Sequence, residues 1–147
     1  MHLQQIIEPS TCIICYTDAS LAPDFPVQNL QEASSGIMFV NIQVHPSNTL
    51  YIKAIMKDVS LVMAEPGALA VATRIANNMR YTQISFLTNN SQLVHFLSSS
   101  DYSHPLDWRM KTYTQVYDTC SDFTHPHLYK ISRSENLATN YLARETR

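Results

Sequence analysis

ISFLTNNSQLVHFL, from Ile84 to Leu97, is the segment that decides the fold class. Its first half is an apolar run typical of a buried strand, and its second half has the spacing of a short helix. Asn89 and Asn90 lie at the junction, where either side-chain oxygen can cap the helix. A strand that runs into a helix indicates an α/β fold. In such folds the end of a strand commonly holds an acidic catalytic residue, so the two amides need an explanation.

Length and composition predict a single domain over residues 1–147. The chain has 147 residues and is 45% hydrophobic, enough for one core. The formal net charge is -2, so no global positive field attracts a polyanion. No basic residues precede the first apolar run, and no segment reaches the roughly 20 apolar residues of a membrane span. We therefore expect an intracellular protein that is neither secreted nor bound to a membrane, in the nucleus, the cytoplasm or an organelle.

Several common sites are disfavoured by the residue counts. Only two glycines are present, too few for a P-loop or a dinucleotide-binding fingerprint. Cys12 and Cys15 are three residues apart on a predicted strand, so their side chains point to opposite faces and cannot share one metal ion or a disulfide. Both are expected to be small buried hydrophobic residues. The pair His125 and His127 lacks a third ligand at metal spacing, which favours a loop leading into a strand over a metal site.

Hydrophobic patterns predict the element order β, β, β, α, β, α, α, β, α. The first strand, TCIICYTDAS, reaches its end near Asp18, and LAPDFPVQNLQEAS is expected to be a loop. GIMFVNIQV and LYIKAIMKDV form an antiparallel hairpin around HPSN. The next helix begins near Met63 or Ala64, because proline at Pro66 is tolerated only in a first turn. Glu65 then lies in that first turn and points toward the sheet with the apolar stripe of the helix, which consists of Ala68, Leu69, Ala72, Ile75, Ala76 and Met79.

The last third of the chain is predicted to contain a helix, a strand and a second helix. The first helix covers about 105–120, and HLYKIS is the fifth strand. Ser134 is expected to cap the final helix, ENLATNYLARET. The predicted buried stripe of that helix consists of Leu137, Ala138, Tyr141 and Leu142.

Four segments together resemble the ribonuclease H domain of plant retroelements and reverse-transcriptase-like proteins. They are YTDAS, MAEPGALA, SFLTNNSQLVHFL and YKISRSENLATNYLAR, and they occur in the family's order at sensible separations. The resemblance covers nearly the whole chain. It implies a mixed sheet of five strands, with the first three antiparallel and with helices on both sides.

The resemblance also implies a catalytic site. Members of that family cut the RNA strand of an RNA/DNA hybrid with two Mg²⁺ ions held by four carboxylates. The four positions fall on Asp18, Glu65, Asn89 and Asn140. Residues that match the closing family pattern around the last position are Arg133, Asn136, Leu142 and Ala143, with Thr139 in place of an alanine. Two of the four carboxylates are therefore replaced by amides.

This replacement predicts an inactive domain. An amide carries no charge, and at an effective dielectric of about 20 each carboxylate about 4 Å from a divalent ion is worth up to several kcal/mol before desolvation. Asp18 and Glu65 then form at most a weak or vestigial metal site. Replacement acids are not evident, since Glu135 is off the face of Asn140, and Asp101 and Asp107 lie in the loop and helix beyond the fourth strand. We expect a pseudoenzyme that needs no cofactor and binds a protein partner or its own copy.

Other interpretations stay open at this stage, and one of them is an unrelated α/β domain. In another, the chain is an active or weakened ribonuclease that uses Mg²⁺ or Mn²⁺, and it contacts a nucleic acid through Lys130, Arg133, Arg144 and Arg147. Alternatively, those cations form a solvated face. In the simplest structural interpretation, Asn89 or Asn90 only caps a helix, and Asp18 and Glu65 are only hydrogen-bonded at the end of the sheet.

Overall fold

The sheet contains five strands in the order β3-β2-β1-β4-β5. The computed structural model describes residues 7, 9–21, 31–59, 64–98 and 127–144. The strand bounds are β1 Ile13–Leu21, β2 Gln31–Asn41, β3 Asn48–Val59, β4 Ile84–Thr88 and β5 His127–Lys130. β1, β2 and β3 are antiparallel, whereas β4 runs parallel to β1 and β5 runs parallel to β4. The mixed five-stranded sheet implied by the sequence is confirmed.

Helices cover both faces of this sheet. Their bounds are α1 Ala64–Asn78, α2 Ser91–Ser98 and α3 Leu137–Arg144, and a 3-10 turn over Arg133–Asn136 leads into α3. α1 packs on the face that carries Cys15, and α3 packs on the face that carries Gly36. None of the helices in the described ranges is long and apolar enough to span a bilayer. The helix predicted over 105–120, together with Asp101, Asp107 and His125, lies outside the described residues.

The main core lies between the sheet and α1. Ile37, Phe39 and Phe86 supply the large side chains from the sheet. The facing side of α1 is mostly alanine, which lets the helix approach the sheet closely. Its fully buried apolar residues are Ala68, Leu69, Ala72 and Ala76, as the helical stripe predicted. At the end of that stripe Met79 is 44% exposed.

The start of each of the first two helices follows local rules. α1 begins at Ala64, as the position of Pro66 required. At α2 the backbone N–H of Leu93 donates to Oδ1 of Asn90 at 3.0 Å. Asn90 is therefore the cap, which leaves Asn89 available for other contacts.

Cys12 and Cys15 are both free thiols. Cys15 is fully buried in β1, and its burial raises the pKa of the thiol well above its ordinary value. Cys12 precedes the strand and is half-buried, with Sγ 3.5 Å from Oε1 of Gln83. The expectation of burial is right for Cys15 and wrong for Cys12.

The second strand begins earlier than its composition indicated. QEAS was expected to belong to a loop, but β2 begins at Gln31. Ala33, Ser34 and Ser35 are buried, and β2 pairs with the second half of β1, where Leu21 lies opposite Ala33. This pairing also carries β1 beyond Asp18. Small side chains fit beneath packed helices, and the strand ladder satisfies their backbone groups.

The C-terminal helix presents a different face to the sheet from the one expected. Ser132, not Ser134, accepts from the backbone of Glu135, and the Glu135 side chain accepts from the N–H of Ser132 in return. Leu137 is 61% exposed and Tyr141 is 69% exposed. The residues of this segment that face inward are Asn136, Thr139, Asn140 and Ala143. The predicted apolar stripe is wrong for Leu137, Ala138 and Tyr141, which are exposed, whereas Leu142 is half-buried. The sheet beneath α3 offers polar partners to Asn136 and Asn140 instead.

Gly36 allows α3 to lie directly on the sheet. A Cβ atom at this position would collide with the carbonyl oxygen of Thr139 and lie 3.0 Å from the backbone nitrogen of Ala143. Both are main-chain atoms, so no side-chain rotation could relieve the collision. Gly36 lies opposite Asp18 in the β1–β2 ladder. The same close approach therefore sets how near α3 comes to Asp18.

Gly36→Ala is expected to lower the free energy of unfolding by about 2 to 3 kcal/mol, because the added methyl group forces α3 away from the sheet. Urea denaturation measures this change. Ser35→Ala, one residue away on the same strand, adds no atom and should cost less. A Gly36→Ala protein as stable as the wild type would contradict the close packing of α3.

Candidate functional site

Three elements bring polar side chains together around the middle of β1. Asp18 lies in β1, Glu65 in the first turn of α1, and Asn140 in α3. Nδ2 of Asn140 donates to Oδ2 of Asp18 at 2.7 Å, across 122 residues of sequence. The backbone N–H of Ala19 donates to both Asp18 and Glu65. Three of the four positions predicted from the sequence thus share one cluster.

Asp18 has a hydrogen-bond donor on each oxygen. It is 3% exposed. Oδ1 accepts from the N–H of Ala19 at 2.9 Å, and Oδ2 accepts from Asn140 at 2.7 Å. The Asn140 bond has the short distance typical of a donor to a carboxylate. The negative charge of Asp18 is therefore stabilised by two N–H dipoles.

Glu65 is only half satisfied. Oε1 accepts from the N–H of Ala19 at 3.2 Å, whereas Oε2 is buried and has no hydrogen-bond partner. Burial, and then the negative charge of Asp18, raise the pKa of Glu65 to about 9, against the opposing effects of the Ala19 N–H and the Arg133 charge. Glu65 therefore keeps its proton at neutral pH. The two acids together then carry one negative charge.

Asn89 joins the cluster through Asn136. Asn136 is 1% exposed, and its Nδ2 donates to the carbonyl oxygen of Thr17 at 2.9 Å and to Oδ1 of Asn89 at 3.3 Å. Oδ1 of Asn136 accepts from the hydroxyl of Thr139. One side chain thus ties the segment before α3 to β1 and to the end of β4. The sequence indicated Asn136 only as part of the closing family pattern, so its bridging role was missed.

The basic side chains are spread over different elements. Lys130 ends β5, Arg133 begins the 3-10 turn and Arg144 ends α3, and all three are exposed. Arg133 is near enough to affect Glu65 electrostatically. Arg144 lies one turn beyond Asn140 in α3. Arg147 lies outside the described residues.

The donor set at the cluster differs from that of a multiple-metal site. Within the described ranges, no three His, Cys, Asp or Glu side chains lie close enough together to hold a metal ion. Asp18 and Glu65 are two carboxyl groups, and Asn140 presents its N–H₂ group to Asp18 rather than a second oxygen. Oε2 of Glu65 is the free buried oxygen of the cluster.

Solved structures with the same architecture include RNase H1 enzymes and a foamy viral protease-reverse transcriptase. RNase H1 from Halobacterium salinarum NRC-1 matches with a TM-score of 0.71 and 16% identity, over 90% of this chain and 95% of that one. The N-terminal RNase H domain of Rv2228c from Mycobacterium tuberculosis matches with a TM-score of 0.71 and 18% identity, over 90% and 91%. The foamy viral protease-reverse transcriptase, solved with an RNA/DNA hybrid, matches with a TM-score of 0.66 and 14% identity, over 92% of this chain and 19% of that one.

These likenesses establish an RNase H-like fold. No protein-family model and no curated protein sequence matches the chain.

The stability of the protein should fall as the pH rises toward about 9, because the folded pKa of Glu65 is about 9 and its ordinary value is 4.5. Between these values the folded state keeps a proton that the unfolded chain releases. The stabilisation is complete below the lower value and is lost as the pH rises, with a slope of at most about 1.4 kcal/mol per pH unit.

Glu65→Gln removes this titration. The free energy of unfolding of the variant, measured relative to that of the wild type, should therefore increase from acid to alkaline pH. Urea denaturation at several pH values measures the difference. Glu32→Gln changes an exposed glutamate on β2 and should keep the wild-type slope. Equal pH dependence in the wild type and Glu65→Gln would contradict the protonated state of Glu65.

Proposed function

We propose that the chain is a catalytically inactive RNase H-like domain, of the plant retroelement type, that acts as a binding module for protein. The hydrogen bond from Nδ2 of Asn140 to Oδ2 of Asp18 carries this proposal. It puts an N–H donor on the carboxylate oxygen that a metal ion needs. The resemblance to RNase H places two further carboxylates at Asn89 and Asn140, and amides stand there instead.

The charges at the cluster argue against two Mg²⁺ ions. Two-metal hydrolysis holds ions about 3.5–4 Å apart, which requires concentrated negative charge. Here burial and the negative charge of Asp18 raise the pKa of Glu65 to about 9. Deprotonating Glu65 at pH 7 costs on the order of 3 kcal/mol. An ion must also displace the amide of Asn140 from Asp18. The residues present do not fit two metal ions, and the module needs no cofactor.

The amides and the bridging Asn136 form a self-contained network instead. Asp18 accepts from Asn140, and Asn89 accepts from Asn136, which also binds the Thr17 carbonyl. Each contact joins C-terminal residues to β1 or to the end of β4. Buried polar groups that satisfy one another rigidify a fold. We infer that the former catalytic positions now stabilise the domain.

A protein is the favoured partner class. The net charge of -2 supplies no general attraction for a polyanion. Lys130, Arg133 and Arg144 lie on three different elements. A single intracellular domain over residues 1–147 that binds another protein or its own copy fits these features.

A weakened hybrid ribonuclease is the second candidate. The observation in its favour is that Asp18 and Glu65 are both retained and share the N–H of Ala19, with the Glu65 Oε2 atom unpaired. The foamy viral neighbour was solved with an RNA/DNA hybrid bound. On this alternative, Asp18 and Glu65 hold Mg²⁺ weakly, and Lys130, Arg133 and Arg144 contact the nucleic acid.

The purified protein is expected to leave the RNA strand of an RNA/DNA hybrid uncut in millimolar Mg²⁺ or Mn²⁺. Cleavage of a labelled hybrid is compared between the wild type and an identically prepared Asp18→Asn protein. The variant measures the background from contaminating nucleases. The two rates should be the same. Wild-type cleavage that Asp18→Asn abolishes would establish the second candidate.

Restoring the acids should restore a response to metal. Asn140→Asp replaces the N–H group that donates to Asp18 by a second negative charge. In the absence of metal, this change should lower the free energy of unfolding by about 2 kcal/mol. Asn89→Asp should cost less, because its oxygen still accepts from Asn136. The double variant should bind Mg²⁺ and gain thermal stability from it, since a ligand of the native state stabilises it.

Thermal melts in EDTA and in millimolar Mg²⁺ test this expectation. The wild type should melt at the same temperature in both buffers, and the double variant should melt several degrees higher with Mg²⁺. A wild-type protein stabilised by Mg²⁺ would mean that Asp18 and Glu65 already hold an ion. A double variant with no response to Mg²⁺ would mean that the four positions do not form one site.

A further inference from the structure

β3 forms a long open edge of the sheet. It has 12 residues, Asn48–Val59, and stands at one end of the strand order. Across the described ranges its only strand partner is β2. A long edge strand offers a row of unpaired N–H and C=O groups to a new strand. β3 also contains no proline to interrupt such pairing.

The same edge carries much of the exposed apolar surface. Tyr51 is 57% exposed and Ile55 is 50% exposed, and both point to the α3 side of the sheet. Leu50, on the opposite side, is 39% exposed. The turn that precedes β3 adds Ile42 and Val44, at 38% and 39%. An exposed apolar edge strand of this length marks an interaction site.

We propose that β3 pairs antiparallel with β3 of a second copy, joining two sheets edge to edge. This inference supplies the partner for the proposed binding module and rests on that proposal. A two-fold axis perpendicular to the sheet places residues of the same face opposite each other. Side chains on one face of the first copy therefore meet side chains on the same face of the second copy.

One register suits the sequence of β3. With the axis at Ala54, Ile52 lies opposite Met56 of the second copy, and Tyr51 lies opposite Lys57. The facing of Tyr51 and Lys57 permits a cation–π contact. Lys53 then faces Ile55, so no lysine is directly opposite another lysine. Like charges directly opposite would destabilise the pair.

The extent of this pairing matches that of a stable interface. In the Ala54 register, Thr49 pairs with Val59 of the second copy, so nearly the whole strand takes part. Antiparallel strands form roughly one backbone hydrogen bond per residue, and a typical specific interface has about ten direct hydrogen bonds. The low net charge of -2 produces little repulsion between copies.

Sedimentation velocity from low to high micromolar concentration tests the proposal on the full chain. The wild type should change from monomer to dimer. Tyr51→Lys with Ile55→Lys adds charge to the edge and should weaken the dimer by about tenfold or more. The matched control is Leu137→Lys with Tyr141→Lys, which makes the same type of change at equally exposed residues of α3. That variant should dimerise like the wild type.

Hydrogen exchange of the wild type provides a test that does not depend on how the variants fold. β3 amides should exchange more slowly at high concentration than at low concentration, and α3 amides should not change. A wild type that stays monomeric, or a dimer that the α3 variant abolishes, would overturn the proposal. So would a monomeric chain that captures another strand-bearing protein through β3.

The nuclease assay is independent of this experiment. A dimer that cleaves hybrids would leave the β3 interface standing and remove the proposed loss of activity. A monomer that does not cleave hybrids would remove the β3 interface and leave the proposed loss of activity standing.

Discussion

The contact of α3 with the sheet at Gly36 is the constraint on which the site depends. Because Gly36 has no side chain, main-chain atoms of Thr139 and Ala143 lie where a Cβ atom would otherwise be. The contact fixes the distance between α3 and β1. Asn140 is thereby brought to Asp18, and Asn136 reaches the Thr17 carbonyl. A larger residue on β2 would separate all of these groups at once.

The cluster solves an electrostatic problem with neutral groups. Two acids lie side by side in a largely buried position, an arrangement that would be costly if both were ionised. A proton on Glu65 and an amide on Asp18 remove most of that repulsion. In a site built around metal ions, the ions would do the same. The amides stabilise the arrangement without a metal ion. The proposed function therefore rests on the whole hydrogen-bond network and not on the two acids alone.

The sequence predicted most of the sheet, because strand and helix patterns are local, and it pointed to residues that the structure places together. Strand alternation gave β1 and the hairpin, Pro66 gave the start of α1, and the family segments gave Asp18, Glu65 and Asn140. The inward face of α3 could not be predicted in this way. Hydropathy assigned its apolar residues to the interior, yet Leu137 and Tyr141 are exposed. The orientation of the Asn140 amide and the unpaired Oε2 of Glu65 depend on tertiary contacts that no local pattern contains.

The hydrogen bonds of α3 also impose an order on folding. The contacts of Asn136 with Thr17 and of Asn140 with Asp18 join residues 119 and 122 positions apart. Closing such long loops costs more chain entropy than forming the β2–β3 hairpin. On the ribosome, β1 and β2 emerge well before α3. The face of the sheet around Asp18 and Gly36 therefore stays open to water until synthesis reaches α3, and a nascent chain that stalls earlier presents that face to chaperones.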